Sequence, residues 1–391
     1  MFPQKIFRLP PTILTGAGCI AKIGEEVLKL GSKRVLIITD AILVKLGAVD
    51  GVKESLQKKQ VEYAVFDDIP TEPTIDYVKA GIKAYRENDC DCIFALGGGS
   101  AIDTAKAVSI MLTNDGDISA YMGLDKVKNK GVPLICAATT SGTGSEVTSV
   151  TIITDTTNDV KMLIGSSYLI PQVAIADPLM TVSMPKALTA ATGMDALCHA
   201  IEAYVSLKAS PMSDIFALSA IKLLAGNLRQ AWANGNNLEA RDKVMMGALK
   251  AGVAFSNSSV TLVHGMSRPI GANFHVPHGL SNAVLLSTVM EFSLIANPTR
   301  FACVAKAMGE NIHGLPDVEA AKLSVHAVKN LISDIQIPSM QDCGIDAAKL
   351  NEKAPLMADA AIASGSPGNN PRQVSKDEII ALYKKAFTCI P

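Results

Sequence analysis

Five short apolar runs, each set between helix-length stretches, decide what the first half of this chain can become. Residues 34–40, 61–66, 92–96, 133–138 and 173–177 are rich in Val, Ile, Leu and Ala. Amphipathic segments such as 41–60 and 74–88 separate them. Continuously apolar strands alternating with helices predict a parallel sheet covered on both faces. After Pro185 the texture changes. Ala, Leu, Met and Lys dominate, and 186–206, 211–233, 238–256, 278–296, 298–309, 316–335 and 375–387 read as helices.

With 391 residues and 48% hydrophobic content, the chain can fill two such cores. Lys and Arg number 36 against 37 Asp and Glu, a net charge of −1. That balance removes the electrostatic case for nucleic acid or a membrane surface as partner. The best charge-free run, 269–290, contains two prolines, two glycines, two asparagines and two histidines, so no transmembrane span is expected there. The opening Met1-Phe2-Pro3-Gln4-Lys5 lacks a secretory h-region. The eight cysteines (19, 90, 92, 136, 198, 303, 343 and 389) form no C-x-x-C pair, which suits reduced thiols in a cytoplasm.

Two loops of small residues follow predicted strands. Gly97-Gly98-Gly99-Ser100-Ala101-Ile102-Asp103 opens a helix, and its glycines let the backbone approach an anion while helix N–H groups point at it. Thr139-Thr140-Ser141-Gly142-Thr143-Gly144-Ser145-Glu146 follows the next strand. Both fall where open α/β sheets bind nucleotides. Gly16-Ala17-Gly18-Cys19-Ile20-Ala21 also fits G-x-G-x-x-A, with Asp40 placed 24 residues on. Two prolines in the preceding run argue for an edge strand, so this loop reads as a turn into the first helix. Asp40 either caps the next helix or accepts from a nucleotide's ribose hydroxyls, which would favour NAD(H) over NADP(H). The edge-like run 6–14 also offers backbone groups that another subunit can cover.

The chain has six histidines, four of them between residues 199 and 278. Asp195 and His199 stand at i and i+4 on one helix face. His264 and His278, each followed by a glycine, complete a set of one carboxylate and three imidazoles. That donor set suits Fe(II) or Zn(II) with room for a substrate oxygen.

Taken together, Gly97-Gly98-Gly99-Ser100 with Asp103, the 139–146 loop, the stretch from Gly193 to Glu202, Val263-His264-Gly265-Met266 and Pro277-His278-Gly279 resemble the iron-containing (group III) alcohol dehydrogenases. The likeness reaches Asn370-Pro371-Arg372 and so covers nearly the whole chain. It implies a dinucleotide-binding α/β domain over 1–184 and an all-helical metal-binding domain over 185–391. This is a dehydroquinate synthase-like architecture, with the active site between the domains. It implies the metal ligands Asp195, His199, His264 and His278, with Fe(2+) expected and Zn(2+) as the alternative, and NAD(H) as cofactor. Cofactor contacts fall to Asp40, Gly97, Gly98, Gly99, Ser100, Asp103, Thr139, Thr140, Thr143, Ser145, Lys161 and Leu179. The implied reaction is hydride transfer between nicotinamide and a small primary alcohol, diol or aldehyde, in a cytoplasmic homodimer or larger homo-oligomer. A dehydroquinate-synthase-like lyase and a metallohydrolase using the Asp/His set alone are the rival classes.

Two positions depart from the family pattern. Arg268 stands where many members have a proton-relaying histidine, and His275, three residues before His278, offers a substitute relay or simply packs. If a helix follows His264, Arg268 lies one turn away on the same face, where it can reach the substrate side of the metal and grip an anionic aldehyde tail, a carboxylate, sulfonate or phosphonate. Otherwise it pairs with a buried carboxylate such as Glu202 or binds cofactor phosphate.

Overall fold

A computed structural model describes residues 4–158 and 160–388. Asp159, beside Lys161, and Cys389 lie outside the described residues. The chain divides into two compact units: Arg8–Val182, and residues 183–388 joined by 4–7.

The strands of the first unit are β1 (Thr12–Thr15), β2 (Arg34–Ile38), β3 (Glu62–Phe66), β4 (Cys92–Gly97), β5 (Gly123–Leu124), β6 (Leu134–Ala138), β7 (Val150–Asp155), β8 (Val160–Gly165) and β9 (Val173–Ala176). Six of them form one sheet in the order β1-β9-β6-β4-β2-β3, every pair parallel. β4 and β6 are buried at every position, which is why they read as unbroken apolar runs. β1 takes an edge, the place its preceding prolines suit. The helices of this unit are α1 (Ile23–Lys29), α2 (Ala41–Lys45), α3 (Asp50–Lys58), α4 (Ile75–Glu87) and α5 (Gly99–Met111). The periodic stretch 41–60 is thus two helices and not one. A second, three-stranded sheet, β5-β8-β7, built on the antiparallel β7–β8 hairpin, was not anticipated from the sequence.

The second unit is all helical: α6 (Lys186–Val205), α7 (Pro211–Ala233), α8 (Leu238–Ser258), α9 (Leu262–Phe274), α10 (His278–Ser293), α11 (Pro298–Met308), α12 (Asp317–Asp334), α13 (Ala347–Ala363) and α14 (Lys376–Thr388). Residues 4–7 belong with it: Lys5 Nζ donates to Ala209 O at 2.6 Å, and Phe7 stacks on Phe216 at 5.6 Å. The stretch His278–Ala296 is long and apolar enough to cross a membrane, yet 61% of it is buried inside the protein, as in the core helix of a globular unit. The seven described cysteines are unpaired.

Candidate metal centre

Three helices of the second unit bring the metal-type side chains together. Asp195 and His199 project from α6, His264 from the first turn of α9, and His278 begins α10. Asp195 Oδ1 lies 3.8 Å from His199 Nδ1, 3.7 Å from His264 Nε2 and 3.7 Å from His278 Nε2. These separations exceed hydrogen bonds. They approach the roughly 3.4 Å between donors that each sit about 2.1 Å from a tetrahedral cation. The donor atoms of Asp195, His199 and His264 all lie within 4.8 Å of one another, and all three residues are buried. His199 Nδ1 is buried without a hydrogen-bond partner among the described residues, an orphan that a cation would satisfy. The residues present fit a divalent ion.

Electrostatics point the same way. Burial alone would raise the Asp195 carboxyl, but the surrounding imidazoles hold it well below the usual carboxylate range. Burial pushes His199 down to about 3, against the pull of Asp195, so it is a neutral donor. For His264 the balance reverses: burial lowers it, but Glu202 and Asp195 outweigh that and hold it above the usual histidine value. The His278 side chain is 41% exposed against 8% for His199, so the centre opens on the His278 side.

Two supporting residues were missed from the sequence as parts of this site. Glu202, buried on α6, accepts from His264 Nδ1 with one oxygen, and with the other from Thr261 Oγ1 and the Val263 N–H, each at 2.7 Å. It thereby fixes the His264 ring with Nε2 turned to Asp195. Asn282 Nδ2 donates to Asp195 Oδ1 at 2.7 Å and lies 3.1 and 3.2 Å from Nε2 of His264 and His278. Both were signalled by spacing, Glu202 three residues after His199 and Asn282 four after His278.

In the first unit the two small-residue loops lie side by side, with Thr139 N–H bonded to Gly97 O at 2.9 Å. A Cβ on Gly99 would sit 3.0 Å from Thr143 Cγ2, so close packing explains part of the glycine run. The α5 N-terminus still presents the N–H groups of Gly99, Ser100 and Ala101, which have no intrahelical acceptor. Asp103 and Ser145 brace the loops: Ser145 Oγ donates to Asp103 Oδ1 at 2.6 Å and Ile152 N–H to its Oδ2 at 2.9 Å. Thr139 is buried and Thr140 half-buried. Asp40 caps α2 through Oδ1, 2.9 Å from Leu43 N. Lys161 on β8 pairs with Glu72 at 2.5 Å, and Leu179 lies in the turn Pro178–Thr181. The N–H groups of the Gly16–Ala21 loop are used within the protein: buried Asp177 accepts from the Gly18 and Ile20 N–H groups at 3.1 and 3.0 Å.

Residues 10–178 match the profile of iron-containing alcohol dehydrogenase, and 189–387 that of the Fe-containing alcohol dehydrogenase family, C-terminal. The chain belongs to the iron-containing alcohol dehydrogenase family. It is 41% identical to 1,3-propanediol dehydrogenase of Klebsiella pneumoniae, over 97% of this chain and 98% of that protein. It is 37% identical to NAD-dependent methanol dehydrogenase of Bacillus methanolicus, over 97% and 99%. The crystal structure of 1,3-propanediol oxidoreductase matches with a TM-score of 0.96 at 41% identity, covering 98% of this chain and 100% of that one.

In this iron-containing alcohol dehydrogenase, the glycine loops fall in the first matched segment and the four candidate metal donors in the second. Where the family often has histidine, Arg268 is part-buried, with Nη1 3.3 Å from Ser366 Oγ. His275 is exposed and ends α9 in the left-handed conformation (φ 56°), its N–H bonded to Gly271 O.

Proposed function

We propose that the chain interconverts a small primary alcohol or diol and its aldehyde by hydride transfer with NAD(H), at a metal held by Asp195, His199, His264 and His278. The observation that carries this is the ring of three imidazoles around one buried carboxylate oxygen, in a chain of this family. Fe(2+) is the family's metal, and Zn(2+) accepts the same donors. When bound, the cation supplies Lewis acidity.

Asp195 brings the negative charge, His199 a neutral nitrogen, and Glu202 keeps His264 from turning. The exposed side of His278 leaves access for substrate. The loops 97–100 and 139–145 suit the nucleotide. Asp40, two residues past β2, spends Oδ1 on the α2 cap, and its second oxygen would accept from a ribose, which favours NAD(H), as does the name of the Bacillus methanolicus relative. We place the enzyme in the cytoplasm, on its unpaired cysteines, and read it as a homodimer or larger assembly built on the β1 edge.

Following NADH absorbance with propanal, and NAD+ reduction with propane-1,3-diol, tests the reading. Turnover should require Fe(2+) or Zn(2+) and prefer NADH to NADPH. Asp195→Ala should abolish both metal content and turnover while the far-UV spectrum is kept. Stoichiometric metal in that variant would refute the ligand set, and equal kinetics with NADPH would refute the cofactor choice.

A further inference from the structure

The turn of α9 that follows His264 carries a cation with no ion-pair partner among the described residues. Arg268 stands four residues after His264, so the two share a face about 6 Å apart. Its guanidinium has five N–H donors, and its one hydrogen bond among the described residues is the 3.3 Å contact to Ser366 Oγ. No carboxylate lies within ion-pair distance of it among those residues. Burial holds its pKa below the usual arginine value, and the charge of Glu202 does not make up the difference. Glu202 acts on it only at longer range: its oxygens bond Thr261, Val263 and His264, and no ion pair with Arg268 is found among the described residues.

Three of the other arginines of this unit show what a structural arginine looks like here. Arg241 bonds Gly235 O, Thr189 Oγ1 and Met184 O. Arg300 bonds Tyr204 O at 2.7 Å and pairs with Asp214 at 2.5 Å. Arg372 bonds Phe292 O and pairs with Glu378. Arg268 alone among these four leaves most of its donors unspent, next to the metal ligands. A part-buried guanidinium without acceptors is costly, and an oxyanion that accepts two parallel bonds relieves that cost. Ser366 is fixed where it can help. It is buried, and the following Pro367 packs on Gly265, one residue from His264.

We propose that Arg268 and Ser366 form an anion seat beside the metal centre, which selects short aldehydes carrying a carboxylate, sulfonate or phosphonate tail. This rests on the dehydrogenase reading above and names the substrate class within it. The seat binds the end of the molecule that does not react, so Arg268 sets specificity and leaves the hydride step to the metal and the nicotinamide.

The test compares kcat/KM of the metal-loaded enzyme with NADH for propanal, 4-oxobutanoate, 2-oxoethanesulfonate and 2-oxoethylphosphonate. At least one anionic aldehyde should beat propanal, and the best of them reveals the tail chemistry. Arg268→Met should lose roughly 10–100-fold on that aldehyde and little on propanal, with Arg268→Lys between them. Ethanesulfonate, propanoate and ethylphosphonate probe the seat without turnover. At least one should compete with aldehyde in the wild type and not in Arg268→Met. Propanal preferred, with the ranking unchanged in both variants, overturns the seat while the dehydrogenase reading stands. A raised KM for NADH with the aldehyde ranking intact reassigns Arg268 to the cofactor and also overturns it. Inhibition by none of the three anions in the wild type overturns it even if a variant fails to fold. Absence of turnover with every aldehyde and either nicotinamide removes the dehydrogenase reading, and the seat with it.

Discussion

Glu202 spends both carboxylate oxygens inside the protein, and most of that effort goes to one turn of α9. Replacing it with alanine strands the Nδ1 of His264 and lets the ring rotate away from Asp195. Metal affinity should then fall by roughly 10–100-fold, read by competition with a chromophoric chelator. Glu202→Gln keeps an acceptor for Nδ1 and should lose less; an equal loss in both would show that charge, and not orientation, is what Glu202 supplies. At this scale the sequence was legible where chemistry is rare. Six histidines and one i, i+4 pair with a carboxylate were enough to pick out four side chains that the structure brings together. Glu202 was read only as a partner for Arg268, and Asn282 not at all, because carboxylates and amides on helix faces are common and only the geometry shows which of them face a ligand. Glu146 makes a second case. It is buried with Oε2 unpartnered among the described residues, and burial raises its carboxyl from 4.5 to about 7, against the opposing pull of its own backbone N–H and Lys106. The unfolded chain releases that proton near 4.5 and the folded chain near 7. Its contribution to stability is therefore full below pH 4.5 and lost as pH rises through 7, up to about 3 kcal/mol. Glu146→Gln should flatten the fall in urea midpoint between pH 5 and pH 8. An unchanged fall would place the titration elsewhere.

Between elements, the metal centre depends on how closely α6 and α10 approach. A Cβ at Gly279 would lie 2.4 Å from the Ala191 carbonyl oxygen, a backbone atom that cannot swing aside. Gly279→Ala must therefore push α10 outward, costing about 1–3 kcal/mol. It also carries the adjacent His278 away from Asp195. Elemental analysis should show reduced metal along with the lower melting temperature. Gly226→Ala in α7 is the control, because nothing lies within 4 Å of the new methyl group. It should be neutral or stabilising by up to about 1 kcal/mol through helix propensity, with metal content unchanged. Should Gly279→Ala keep its metal, the α6–α10 contact does not set the ligand geometry. Elements were legible in proportion to how one-sided their surroundings are. β2, β4, β6 and β9 are almost wholly buried and announce themselves as apolar runs. α9 and α13 were missed because each has an interior proline, Pro269 and Pro355, which ordinarily argues against a helix. The β7 strand alternates half-buried with buried positions, a weaker signal than a continuous run.

For the whole molecule, the distribution of the four proposed metal donors predicts how binding energy spreads. All four come from α6, α9 and α10, as do the supporting Glu202 and Asn282, and none comes from residues 8–182. Each unit also has its own apolar core, one running from Ala190 to Ala386 and another drawing on Ile23, Phe94 and Ile175. A ligand stabilises whatever must stay folded for it to bind, by about 2.7 kcal/mol at a hundredfold excess over its dissociation constant. Amides that exchange through opening of α6, α9 and α10 should therefore slow by up to about a hundredfold on loading Fe(2+) or Zn(2+). Those of β2, β4 and β6 should exchange as before. Hydrogen exchange read by mass spectrometry on the full chain, stripped and reloaded, distinguishes the outcomes. Equal slowing in both units would mean that the sheet unfolds only together with the helices, and the energetic independence argued from the donor positions would fall. Slowing confined to residues 186–293 would locate the metal's stabilising effect in the three helices that supply its ligands.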